Sequence, residues 1–260
     1  MATAPFHVSL DSLSHVFADG RKPLPALRDV SLRVPAGQFL SIIGPSGCGK
    51  STLLRIVGGL LKPSQGHALV SEEAPGRAQK SREIGFVFQD PALLPWRTVA
   101  TNIRLPLEID GLRRRRDLPD PDNLLELMGL AGFRDYYPHQ LSGGMQQRVA
   151  LARALAFDPS LMLMDEPFGA LDEITRAAMR YELLRVWSST DRRKTVLFVT
   201  HSIAEALAMS DRVVVMSGRP GRIVADLDIE LARPRTQEIE RSSAFLDYAD
   251  YLRSLLKDAA

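Results

Sequence analysis

Residues Gly44 to Ser51 read GPSGCGKS, which matches the phosphate-loop pattern G-x-x-x-x-G-K-[ST] at every fixed position. Gly44, Gly47 and Gly49 let the backbone through Pro45, Ser46, Cys48 and Thr52 close around phosphate oxygens. A helix starting here adds the positive end of its dipole. Lys50 is placed to reach β- and γ-phosphates, and Ser51 to bind Mg²⁺ through its hydroxyl. Cys48, between two glycines, reads as a small tolerated residue rather than a redox centre. A second group follows the apolar run LMLM at Leu161 to Met164, where Asp165 and Glu166 stand side by side. Such a run makes a buried strand, and ligands bind at the carboxyl edge of an open parallel sheet. Asp165 at that edge suits Mg²⁺, directly or through water, and Glu166 suits polarising an attacking water. Together the motifs outline an ATP or GTP hydrolase. No N-K-x-D base-reading string for guanine is found, and a small-molecule kinase stays open at this point.

These groups need an α/β frame. Short apolar runs at Phe39–Ile43, Ile84–Phe88, Leu161–Met164, Val196–Val199 and Val213–Met216 predict strands of a mainly parallel sheet. The stretch Gly49–Leu60 predicts a helix burying Leu53, Leu54, Ile56 and Val57, and a second helix follows Ser142 with Met145, Val149, Ala152 and Leu155 inward. His7–Phe17, Val30–Val34 and His67–Ser71 predict a small antiparallel sheet. Helical segments Val99–Ile109 and Asn123–Leu130 flank a loop-like polar stretch, and Ser242–Lys257 predicts an amphipathic terminal helix packed on the main body.

Composition narrows the function classes. The 33 basic residues against 31 acidic ones leave a net charge of +2, no global reason to bind nucleic acid or an anionic membrane. No apolar run approaches the ~18–20 residues that span a bilayer, and MATAPFHVSL lacks a secretory leader's basic start and apolar stretch. The single cysteine predicts a reducing compartment.

Leu141 to Gln147 reads LSGGMQQ. Lying between the phosphate loop and the acidic strand end, it resembles the signature of the ABC (ATP-binding cassette) ATPases. A plain capped helix start explains Ser142 but not the whole string. In that family each ATP lies between one subunit's phosphate loop and the other's signature. The resemblance therefore implies that Ser142, Gly143 and Gly144 act in trans. It also implies that Gln89, after the strand IGFVF, senses Mg²⁺ and the attacking water, and that His201, after VLFVT, contacts the γ-phosphate. Asp172 becomes the key acid of a loop, Gly169 to Asp172, through which subunits communicate. Phe17 falls where the family stacks an aromatic on adenine, an interaction worth ~1–3 kcal/mol. An ordinary core aromatic is the competing reading of Phe17. Gly169 stands where the family often has Ser, and Ser202 where an acid is commoner.

The implied fold is an α/β P-loop NTPase (RecA-like) core with an N-terminal antiparallel β subdomain and an inserted α-helical subdomain. One ABC ATPase domain spans 1–260: the nucleotide-binding core with its β subdomain over approximately 1–90 and 158–230, the helical subdomain with the signature over 91–157, and a helical tail over 231–260. A narrower resemblance, to nitrate, sulfonate and taurine importer ATPases, rests on QDPALLPWRTV from Gln89, on FGALD from Phe168 and on SGRPGR from Ser217. It implies an ATP-hydrolysing homodimer using ATP and Mg²⁺ beneath two transmembrane permease subunits, served indirectly by a solute-binding protein. The expected location is the cytoplasmic face of the inner membrane, peripheral to it, with no nucleic acid involved. The alternative is a soluble non-transport ABC ATPase of the iron–sulfur assembly type. The run Arg113 to Arg116 reads as a solvated loop, and Trp96 as a residue packed beneath a partner groove or as a core anchor.

Overall fold

The chain opens with β1 (Phe6–Ala18), β2 (Pro23–Pro35), β3 (Phe39–Ile43), α1 (Lys50–Val57), β4 (Gln65–Val70), α2 (Pro75–Lys80) and β5 (Ile84–Val87). There follow α3 (Val99–Arg104), α4 (Pro121–Leu127), α5 (Gly143–Leu155), β6 (Leu161–Asp165), α6 (Glu173–Ser188) and β7 (Thr195–Val199). The last elements are α7 (Ile203–Met209), β8 (Arg212–Met216), β9 (Ile223–Asp228) and α8 (Ser243–Asp258). This computed structural model describes residues 6–18, 22–108, 118–169, 171–188 and 193–259. The arginine run at 113–116 lies outside them, as does residue 170 of the FGALD string.

Two sheets form. The smaller is antiparallel, in the order β2-β1-β4; the larger has the order β5-β6-β7-β3-β8-β9. Its first four pairings are parallel and the last, β8 with β9, is antiparallel. The alternation of side chains along a strand sorts two cores. Phe39, Ile43, Met162, Met164, Val196, Phe198, Val213 and Val215 face the helical side with α5 and α8. Their neighbours Leu40, Ile42, Leu161, Leu163, Leu197, Val199, Val214 and Met216 face α1 and the antiparallel sheet. A strand buried on both faces reads as a nearly continuous apolar run, which is why these strands are so hydrophobic.

Some boundaries differ from expectation. The helix expected to reach Leu60 ends at Val57, because Gly58 caps it and Gly59 takes a φ of +70°. The helix from Val99 gives way after Arg104 to a 3₁₀ turn, Leu105–Glu108, since Pro106 lacks the N–H that an α-helix interior requires. Its neighbour runs over Pro121–Leu127 rather than Asn123–Leu130, started by Asp120, whose carboxylate accepts from Asp122 N, and by Pro121 at the first helical position. The terminal helix buries Phe245, Ala249 and Leu252 against the larger sheet's helical side. Among the described residues no helix is long and apolar enough to cross a membrane.

Candidate functional site

The larger sheet's carboxyl edge is where β3 and β6 release their acidic and glycine-rich loops. The central strand β3 runs directly into Gly44–Gly49, and α1 begins at Lys50. At the turn, Gly49 has a φ of +104°, and a Cβ there would lie 2.7 Å from Leu27 Cδ2 and 2.8 Å from Ala26 O. Only glycine fits. Lys50 is 5% exposed, and its ammonium donates to Gly44 O at 2.8 Å and Pro45 O at 3.0 Å. Cys48 is buried beneath the loop, among the apolar residues of the α1 side.

A cleft of about 390 Å³ lies above this loop. Phe17, Ser46, Gly47, Gly49, Lys50, Ser51, Thr52, Gln89 and Glu166 all line it, so these residues, far apart in the chain, come together. Phe17 pairs in register with Leu24 across β1 and β2, and both face the cleft. At 37% exposure, Phe17 is not a core aromatic. A larger hollow of about 750 Å³ lies against the antiparallel sheet beside Ser9, Arg33 and Arg212, away from the phosphate loop.

At the end of β6, Asp165 accepts a hydrogen bond from Ser51 Oγ at 2.9 Å. Burial pushes the Asp165 carboxyl up from its ordinary range; the Ser51 hydrogen bond opposes this, the charge of Glu166 adds to it, and Arg55 and Lys50 oppose it. A hydroxyl and a carboxylate in contact are the hard oxygen donors that Mg²⁺ accepts. Among the described residues no three His, Cys, Asp or Glu side chains form a metal cage. An ion here would complete its shell with phosphate oxygens and water. The raised carboxyl carries a stability consequence. A group whose folded pKa exceeds its unfolded one destabilises the fold at neutral pH and ceases to do so below the unfolded value. Asp165→Asn is therefore expected to raise the melting temperature without nucleotide at about pH 7. The gap to wild type should shrink as pH falls towards ~4, and pH-resolved thermal melts that show no gap at any pH would refute this.

Glu166 has a φ of +46°, a left-handed backbone rare outside glycine, and its N–H donates to Val199 O at 2.9 Å. This contact sets the ends of β6 and β7 side by side. In consequence Glu166 Oε2 lies 3.0 Å from His201 Nδ1, so an ionised Glu166 accepts from a protonated Nδ1. The Gln89 segment is tied down from the helical side. Gln147 Nε2 of α5 donates to Phe88 O at 3.1 Å, and Arg153 donates to Pro91 O and Ala92 O. Buried Asn102 bonds Leu94, Arg97 and Thr98 in the same segment. Trp96 then stands out at 71% exposure, which rules out the core-anchor reading.

Ser142, Gly143, Gly144 and Asp172 do not line this cleft. Ser142 caps α5, its Oγ accepting from Met145 N at 3.3 Å, and Asp172 accepts from Thr175 N at 3.0 Å at the start of α6. The two loops are in contact, since a Cβ on Gly144 would lie 2.6 Å from Leu171 Cδ2. Leu24, Ala26 and Arg219 also line the cleft and were missed in the sequence. The only signal for Arg219 was the SGRPGR string, to which no role attached.

A family model described as ABC transporter matches residues 27–169. An uncharacterised ABC transporter ATP-binding protein of Methanocaldococcus jannaschii is 45% identical over 252 residues, covering 96% of this chain and 91% of that protein. A taurine import ATP-binding protein of Rhizobium johnstonii is 43% identical over 238 residues, 89% of this chain and 88% of its own. A nitrate import ATP-binding protein of Synechocystis is 38% identical over 257 residues, 96% and 95% respectively. Among solved structures, a dimeric post-hydrolysis ATP-binding cassette with ADP and Pi superposes with a TM-score of 0.75 at 33% identity. It covers 86% of this chain and all of that one.

Proposed function

The chain belongs to the ABC transporter ATP-binding family and is an ATPase of that family, and on this premise we propose that it drives import of a small solute such as nitrate, a sulfonate or taurine. The observation that carries the reading is the division of the chemistry. The phosphate loop, Gln89 and Glu166 line one cleft, with Asp165 bonded to Ser51 and His201 to Glu166 beside it, while Ser142, Gly143 and Gly144 do not line it. A site missing its signature is completed by a second copy, and the dimeric ADP-bound cassette supports that arrangement. The names of the taurine and nitrate importers support the solute class.

In the proposed reaction Lys50 leaves the carbonyls of Gly44 and Pro45 for the β- and γ-phosphates, with Ser46 to Thr52 enclosing them. Phe17 stacks on adenine. Ser51 and Asp165 would hold Mg²⁺, with Gln89 alongside; an ion bound there would supply charge neutralisation to the phosphates. Glu166 accepts a proton from the water that attacks the γ-phosphorus in line, as the bond to the β-phosphate oxygen breaks. His201, held by Glu166, faces the γ-phosphate. The signature residues of the second copy close over the same phosphates, and Asp172 relays closure between copies.

Two membrane-spanning permease subunits would take up the motion near Gln89 and Trp96, placing this chain peripherally at the inner membrane's cytoplasmic face. Affinity purification from detergent-solubilised cells checks this. Integral membrane proteins should accompany the chain, and the solute-binding protein of that complex should bind nitrate, taurine or an alkanesulfonate. Recovery in a soluble multiprotein complex would overturn the importer and favour the assembly-type alternative.

A further inference from the structure

We propose that Arg219 is a second phosphate-binding cation of the nucleotide cleft, supplied by the loop between β8 and β9; the proposal rests on the ATP-site reading above. The loop is built to hold that side chain in place. Ser217 N donates to Arg222 O at 2.9 Å and Arg222 N to Ser217 Oγ at 3.1 Å, closing a compact turn. Gly221 then pairs with β2: its N–H donates to Ala26 O at 2.9 Å, and its carbonyl accepts from Arg28 N at 3.0 Å. The turn is also pressed onto the phosphate loop itself. A Cβ on Gly221 would lie 2.0 Å from Cys48 O.

With the turn wedged there, Arg219 reaches over the phosphate loop. Its Nε donates to Gly47 O at 3.1 Å, and its Nη2 stands 3.0 Å from where a Cβ on Gly47 would be. Among the described residues its remaining donors have no hydrogen-bond or ion-pair partner. Guanidinium donors that remain free, beside a phosphate loop and facing a cleft, select an anion with paired oxygens. The cleft's charged lining is Lys50, Arg219 and Glu166, and Glu166 is engaged by His201. Two cations therefore act on whatever polyphosphate enters. The Nε–Gly47 contact also engages one carbonyl of the loop with a cation.

Equilibrium binding of adenosine, ADP and ATP to wild-type, Arg219→Ala, Arg219→Gln and Arg219→Lys chains, with thermal melts to verify folding, tests this. Both neutral variants should weaken ADP and ATP by about five- to twentyfold, the range of a charge-assisted hydrogen bond at a partly solvated site. Adenosine should bind as before, and Lys should recover part of the loss. In steady state KM should rise by the same factor while kcat moves less, and the salt dependence of ADP binding should become shallower. Unchanged ADP affinity in Arg219→Ala and Arg219→Gln overturns the proposal. So does an equal loss for adenosine, which would put the guanidinium on the base. Failure of the underlying reading is distinguishable, because then the wild-type chain, or Lys50→Ala relative to it, would show no nucleotide-dependent difference at all.

Discussion

Glu166→Gln is expected to lower steady-state ATP turnover by about 10²- to 10⁴-fold while ATP still binds. The substitution keeps length, shape and one acceptor oxygen, so the left-handed backbone at Glu166 and its bond to Val199 O survive. What it removes is the ability to take a proton from water. Lys50, Ser51 and the phosphate loop, which line the cleft proposed to bind nucleotide, are untouched by the change. The two readouts should therefore separate: phosphate release collapses, and nucleotide affinity holds. Because hydrolysis is what would reopen the proposed dimer, the variant should also accumulate as an ATP-bound dimer on gel filtration. An intact steady-state rate would remove Glu166 from the mechanism.

Gly221→Ala is expected to be strongly destabilising. The added carbon would stand 2.0 Å from Cys48 O and 2.8 Å from Met216 Cε, and a backbone carbonyl cannot swing aside as a side chain can. Overpacking of this kind costs about 1–3 kcal/mol and sometimes more. Here it acts on both the β2 wall and the phosphate loop, so the urea midpoint and ADP affinity should fall together. Gly76→Ala is the matched control. Nothing lies within 4 Å of its added Cβ in α2, and alanine there should stabilise by a few tenths to about 1 kcal/mol. Equal midpoints for the two variants would show that the turn yields freely.

Much of this was legible in the residues, for physical reasons that differ by element. The strands at Phe39, Leu161 and Val196 are bounded to within a residue, because a strand buried on both faces is read as a nearly continuous apolar run. Strand β9 was missed although Ile223, Ala225 and Leu227 alternate with exposed partners; the half-buried edge gives a weaker signal. Helix α6 was missed as well, since charged residues are scattered through EITRAAMRYELLRVWS and blur its apolar side. Contacts across the fold were the hardest to read. Glu166 meets His201 through the pairing of two strands 35 residues apart in sequence. Arg219 meets Gly47 across 172 residues, and no local spacing encodes that. Motif strings identify chemistry that lies within one turn of chain, whereas the walls of the cleft are a property of topology.

The placement of Ser142 and its neighbours outside the cleft has a consequence for how activity is counted. On the proposed pairing, every reactive centre is shared, with its phosphate loop from one chain and its lid from another. A chain diluted below the dissociation constant of the pair is then half of two different centres. Specific activity becomes a function of concentration as much as of sequence. By the same geometry, a copy lacking Lys50 and a copy lacking Ser142, each dead alone, assemble one centre carrying both lesions and one carrying neither.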